Sequence, residues 1–142
     1  MGTDISVHLE LLHTETEVWH HFGSYRPNRW YPVFGYLAGV RGEGPPVAPP
    51  RGIPSDATEL TKWDWEMFGG HTPSHLTRCE MLMVQDLMRR HVDAKWTMTR
   101  WMSGGCHDGA YCYQYLFGGD LVPPEWDWAE WADARYVFWF DC

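Results

Sequence analysis

From Asp4 to Leu11 apolar and polar residues alternate without a break, with Ile5, Val7, Leu9 and Leu11 in one set and Asp4, Ser6, His8 and Glu10 in the other. Successive side chains of an extended chain point to opposite faces, so a β-strand sorts these sets and a helix mixes them. The far end of the chain is extended too. Residues 134–140 (Ala-Arg-Tyr-Val-Phe-Trp-Phe) are apolar on both strand faces, the pattern of a central strand covered on both sides. Strands at both ends with helical patterns between them predict an α+β domain. Its small sheet would contain the N- and C-terminal strands as neighbours, with helices packed between and around them. At 142 residues, one domain over 1–142 is expected, burying roughly two-thirds of the surface of the unfolded chain.

The intervening sequence reads as follows. Residues 19–25 form a second short strand after a polar turn at 14–17. Residues 29–40 carry Val33, Phe34, Leu37 and Val40 at helical spacing, with Pro32 tolerated in the first turn. Residues 42–54 hold five prolines and three glycines and exclude both helix and central strand. A loop of this length is either functional or a stiff polyproline edge. Residues 56–68 look helical and stop at Gly69 and Gly70. Thr77 and Glu80 fit a capping box, which opens a helix running to about His91 with Met81, Leu82, Val84, Leu87 and Met88 on its apolar face. Residues 94–102 extend or follow it, ending at Gly104 and Gly105. Residues 109–117 are ambiguous between helix and strand, and Pro124 opens a helix start. The repeated Trp-Asp-Trp at 63–65 and 126–128 has different flanks and reads as shared helix-start chemistry.

Eleven Lys and Arg face nineteen Asp and Glu, for a formal charge of −8. Long nucleic acid is excluded as a partner, because counterion replacement needs clustered cations. A small anion held by a few local arginines is still allowed. No run approaches the roughly 18 to 20 apolar residues of a membrane span, and no signal peptide precedes the first strand, so a soluble, cytoplasmic protein is expected. The opening residues match the loose myristoylation pattern, but the strand begins at once and no basic patch lies nearby, so lipidation is not expected. Cys79, Cys106, Cys112 and Cys142 contain no Cys-x-x-Cys pair, which argues for reduced thiols and against structural zinc. No metal or other cofactor is expected.

Several constellations could carry chemistry. Asp4, Ser6, His8 and Glu10 follow one another at about 7 Å on one strand face. They would converge on a cleft if that face met one, but the residues alone favour an ordinary solvated face. His8-x-Glu10 matches half of a zinc-deaminase motif whose Pro-Cys-x-x-Cys half is missing. The small-residue loop 69–77 precedes the capping box, so His71, Ser74 and Thr77 could supplement free amides at a helix start in holding an anion. Pro73 argues against His71 and His75 sharing a helix face. His75-x-Thr77 matches one unit of the two-histidine phosphoesterases, without the second. Cys106, His107 and Asp108 are adjacent in sequence, and adjacent side chains usually diverge. Arg26, Arg29, Arg41 and Arg51 cluster around the proline loop and its preceding helix, beside Trp30, Tyr31 and Tyr36. Guanidinium groups grip phosphate and aromatic rings stack on bases. Salt bridges to the surplus acids are an equal alternative.

Met1-Gly2-x-Asp4-Ile5, Arg29-x-Tyr31, Phe34, the run from Leu37 to Arg41, Pro50-Arg51-Gly52-x-Pro54, His71, Ser74, Leu76-Thr77 and the run from Val137 to Asp141 occur in order along the chain. In these the sequence resembles a family of small phage and prophage proteins that open Met-Gly-Cys-Asp-Ile-His and close Val-Phe-Trp-Phe-Asp. The resemblance implies the context of small accessory proteins that blunt host immunity, some by sequestering or cleaving nucleotide signals, inside an infected bacterial cell. Three family positions depart: Thr3 and Ser6 replace the usual Cys and His, and Pro73 replaces a His. Loss of two histidines together is what a binder without turnover tolerates, and it weighs against an enzyme.

The leading expectation is therefore a counter-defence protein that sequesters a cyclic ADP-ribose isomer or cyclic dinucleotide. Its ligand residues would be Arg29, Trp30, Tyr31, Tyr36, Arg41, Arg51, His71, Ser74 and Thr77, with no catalytic or metal residues. One alternative is a hydrolase, metal-assisted or not, using Asp4, His8, His71 and Asp141. Another is an adaptor that binds a host defence protein through an acidic, Trp-rich surface. A homodimer enclosing a shared pocket is compatible with the small domain, although no interface pattern is visible.

Overall fold

The structure, a computed structural model, describes residues 2–104 and 129–142. Strands β1 (Asp4–His13), β2 (Trp19–Tyr25), β3 (His71–Thr77) and β4 (Trp131–Asp141) form one antiparallel sheet in the order β2-β1-β4-β3. The helices among the described residues are α1 (Tyr31–Ala38), α2 (Glu59–Phe68), α3 (Arg78–His91) and α4 (Met98–Gly104). The chain is thus α+β, and its terminal strands pair from Asp4 opposite Asp141 through Leu11 opposite Ala134. No helix among the described residues is long and apolar enough to cross a membrane. Cys106, His107, Asp108, Cys112, the segment 109–117 and the helix start at Pro124 lie outside the described residues.

The alternation of β1 decides the layering. Ile5, Val7, Leu9 and Leu11 join Tyr136, Phe138 and Phe140 of β4 on one face, where Phe34 and Leu37 of α1, Met81, Val84 and Met88 of α3 and Met98 and Met102 of α4 close the core. The other face carries Ser6, His8 and Glu10 beside Trp139, Val137 and Arg135, and all six are buried. This corrects the expectation of a solvated polar face. Helix α2 lies over it, with Trp65 edge-on to Trp139 at 5.4 Å. The sheet is covered on both sides.

The 29–40 pattern forms a short helix that starts at Tyr31 with no side-chain cap and stops where Gly39 turns left-handed at φ 73°. The N–H groups of Gly39 and Val40 return to the carbonyls of Gly35 and Phe34 and close the last turn. Helix α2 begins at Glu59, three residues later than the sequence pattern suggests, because Asp56 and Ala57 are taken up in a turn that precedes the N-cap Thr58. Helix α3 opens with the expected capping box.

The expectation for 69–77 needs correcting, since His71–Thr77 is an edge strand rather than a loop. Its register shifts between His71 and Ser74, where Pro73 has no N–H for the ladder and Thr72 sits at φ 53°. The proline loop seals the outer edge. Gly52 N–H donates to the Pro73 carbonyl at 2.9 Å and Arg51 N–H donates to Ser74 Oγ at 3.1 Å.

Candidate functional site

Two places gather chemistry-bearing side chains. The first lies between β1 and α2. Glu10 is fully buried at the start of α2, where one carboxylate oxygen accepts the Thr58 N–H at 2.8 Å and the Thr61 hydroxyl at 2.9 Å. A carboxylate there also meets the positive end of the helix. Its other oxygen accepts Arg135 Nε at 2.8 Å. Burial alone would raise the Glu10 carboxyl, but the Thr58 and Arg135 hydrogen bonds and the Arg135 charge outweigh it and hold the pKa below its ordinary value. Arg135 also pairs with Asp56 at 2.7 Å and lies 3.9 Å from the centre of the Trp19 ring.

Two residues along β1, the His8 ring stacks on Trp139, and His8 Nε2 meets Asp64 Oδ2 of α2 at 2.7 Å. Since Glu10 meets Thr58 and Thr61 while His8 meets Asp64, α2 runs antiparallel to β1. On the other side of the ring, His8 Nδ1 lies 2.9 Å from His21 Nε2 and 3.1 Å from Ser24 Oγ, both on β2. Burial lowers His21 to about 4, with the His8 charge adding to it and Glu10 and Asp64 opposing, so His21 is neutral at neutral pH. Hydroxyl, imidazole and carboxylate stand in series through Ser24, His8 and Asp64, the contacts of a nucleophilic relay. Among the described residues no group of three or more His, Cys, Asp or Glu is placed to hold a metal ion.

The second place is a cleft of about 780 Å³ between α1, the proline loop and the end of α3. Tyr31, Tyr36, Arg41, Leu87 and His91 line it, with Gly42 to Pro45 along one side. The Arg41 guanidinium lies 5.6 Å from the centre of the Tyr31 ring. Arg41 holds φ 58°, a left-handed conformation that is uncommon for a side-chain-bearing residue. Gly35 and Gly42 let the helix and the loop touch backbone to backbone: a Cβ on Gly42 would come within 2.5 Å of Gly35 Cα and 2.7 Å of the Tyr31 carbonyl.

The structure divides the residues singled out by sequence. Tyr31, Tyr36 and Arg41 share the cleft, whereas Trp30, at the N-cap position of α1, does not line it. Arg29 turns away to pair with Asp4 at 2.7 Å. Arg51 grips Glu80 with both terminal nitrogens, at 2.7 and 2.6 Å, and donates to the His75 carbonyl. Thr77 Oγ accepts the Glu80 N–H and the Glu80 carboxylate accepts the Thr77 N–H, so these two of the amides expected to hold an anion are already bonded. Ser74 is buried under Arg51. For Arg29 and Arg51, pairing with surplus acids is the outcome.

Of the hydrolase set, Asp4 and Asp141 stand opposite each other in β1 and β4, His8 lies buried on Asp64, and His71 sits at the sheet edge with Nε2 3.3 Å from Cys142 Sγ. These four do not converge. Cys79 and Cys142 are free thiols.

Compared with known protein families, with curated proteins and with solved structures, the chain matches none. His21, Ser24, Asp64 and His91 escaped the sequence reading. Thr61 and Asp64 are three apart on one helix face, and His21 alternates with Trp19, which are signals of spacing without any hint of the partner strand.

Proposed function

We propose that the protein binds a small nucleotide-derived anion in the cleft of Tyr31, Tyr36 and Arg41 and acts by withholding it. The family resemblance suggests the setting: a phage counter-defence protein in an infected bacterial cell that sequesters a cyclic ADP-ribose isomer or cyclic dinucleotide. One observation carries the reading. In a chain with a formal charge of −8, a cleft of about 780 Å³ combines two tyrosine rings with an arginine and a histidine. Tyrosine faces accept a base by stacking, and a guanidinium accepts phosphate through paired hydrogen bonds. The volume lies within the range of small-molecule sites.

Calorimetry with cyclic ADP-ribose isomers and cyclic dinucleotides tests it. Binding at or below tens of micromolar, lost in Tyr36→Ala and Arg41→Ala, is the expected result. No heat across the panel at that concentration sinks the reading. Recovery of intact ligand after heat denaturation separates withholding from cleavage.

A hydrolytic reading keeps one specific observation, the Ser24–His8–Asp64 series at 3.1 and 2.7 Å. It requires product formation on incubation with the same compounds and loss of turnover in Ser24→Ala with binding retained. This residue set replaces the Asp4, His8, His71 and Asp141 set.

A further inference from the structure

Helix α2 is turned inside out. An amphipathic helix packed on a sheet ordinarily buries its apolar stripe and shows its polar residues to water. Here Thr61 and Asp64 face the sheet, bonded to Glu10 at 2.9 Å and to His8 at 2.7 Å, and Trp65 packs edge-on against Trp139. Those contacts fix the rotation of the helix about its axis. Leu60, Trp63 and Met67, at helical spacing, therefore point outward and are 43%, 51% and 60% exposed. Phe68, 53% exposed, joins them with its ring 5.7 Å from that of Trp63. Of the eight large apolar residues exposed among the described ones, four stand on this one helix, and a fifth, Val18, lines a cleft at its start.

The rim of this stripe is acidic. Glu59 and Glu66 stand about two turns apart along one side of it, and Lys62 is the one cation on α2. The cleft at the start of the helix, of about 360 Å³, is lined by Glu17, Asp56 and Glu59 together with Trp19. Asp56 pairs with Arg135, whereas Glu17, Glu59 and Glu66 form no ion pair among the described residues. Unpaired carboxylates beside exposed aromatic, aliphatic and thioether side chains complement a surface on which lysines or arginines flank apolar residues. The same charges disfavour a lipid surface, since helices that lie in a membrane interface carry Lys and Arg on their polar face. They disfavour a second copy too, because a two-fold contact sets the same patch on both sides and brings carboxylate to carboxylate.

We propose that the outer face of α2 docks a basic amphipathic helix of another protein, whose apolar side chains lie on Leu60, Trp63 and Met67 and whose lysines or arginines meet Glu59, Glu66 and the acidic cleft. Helix α2 covers the sheet face opposite α1 and α3, so this surface lies across the sheet from the cleft of Tyr31, Tyr36 and Arg41. The proposal does not rest on nucleotide binding. Docking needs no rearrangement of α2, because Glu10 and His8 already hold it with its apolar anchors outward.

Fluorescence anisotropy on the full chain, with a labelled amphipathic helical peptide of leucine and lysine and with its leucine and glutamate counterpart, tests it. The lysine peptide should bind and the glutamate peptide should not. Trp63→Ser combined with Met67→Ser should weaken binding roughly ten-fold or more. Glu59→Gln combined with Glu66→Gln should weaken it and flatten its salt dependence. Met83→Ser, at a similarly exposed methionine on α3, should leave it unchanged. All of these positions are exposed, so the fold should tolerate the changes, and urea unfolding checks that it does. No binding of the lysine peptide, equal binding of the glutamate peptide, or binding that survives Trp63→Ser with Met67→Ser would overturn the docking surface. So would either competing occupant: attachment to phosphatidylglycerol vesicles, or a dimer in sedimentation, that this double variant abolishes.

Discussion

Glu10 and Arg135 stand opposite each other in adjacent strands and meet at 2.8 Å with the carboxylate fully buried. Removing one partner of such a pair leaves the other charged and desolvated, a loss of about 3–5 kcal/mol. Glu10→Ala should therefore destabilise by that amount in urea unfolding, and it should loosen α2, whose first turn loses the acceptor for Thr58 and Thr61. Glu10→Gln keeps an acceptor for these groups and should lose less. Equal stability of Glu10→Ala and the natural chain would show that the pair does not hold the helix.

The neutral His21 gives stability a pH dependence. Its folded pKa is about 4 against about 6.5 in an unfolded chain, so between these values the unfolded state binds more protons. That part of the stability is fully present above about pH 6.5 and falls away as pH drops toward 4. Unfolding free energies measured from pH 7 to 4 should decline, and His21→Gln should flatten the slope. An unchanged slope in the variant would refute the assignment.

A second acid-sensitive element joins the proline loop to α3. The Arg51 hydrogen bonds, opposed by burial and aided by the Thr77 amide, lower Glu80 to about 2. A depressed carboxylate stabilises above its unfolded pKa of about 4.3 and loses that contribution as pH falls toward 2. Arg51→Met should move this loss to higher pH. Thr77→Ala removes the cap hydroxyl and should cost about 1 kcal/mol at neutral pH, read from thermal or urea unfolding.

What the sequence made legible follows from local rules. Alternation located β1, the doubly apolar run located β4, and Thr77 with Glu80 marked the start of α3, because each of these signals is complete within a few residues. The burial of His8 and Glu10 was not legible, since their partners Asp64, Thr61 and Arg135 come from 51 to 125 residues away. Strand β3 was hidden by Pro73, which breaks the period where the register shifts. Of the predicted ligand arginines, Arg41 reaches the cleft, whereas Arg29 and Arg51 find Asp4 and Glu80 first, a choice that composition favours and position decides.

Arg41 itself joins strain to the proposed function. At φ 58° its Cβ crowds the backbone, at a cost of roughly 1–2 kcal/mol that glycine avoids. Arg41→Gly should therefore keep or raise the melting temperature while abolishing nucleotide binding in calorimetry. Gly42→Ala should do the opposite to stability: its Cβ would meet Gly35 and the Tyr31 carbonyl, both backbone, so α1 and the loop must separate and the cleft with them. Both variants should lose ligand, one with the fold strengthened and one with it weakened. Retained binding in Arg41→Gly would mean that the guanidinium is not a ligand group, since the cleft would be intact and only the side chain missing.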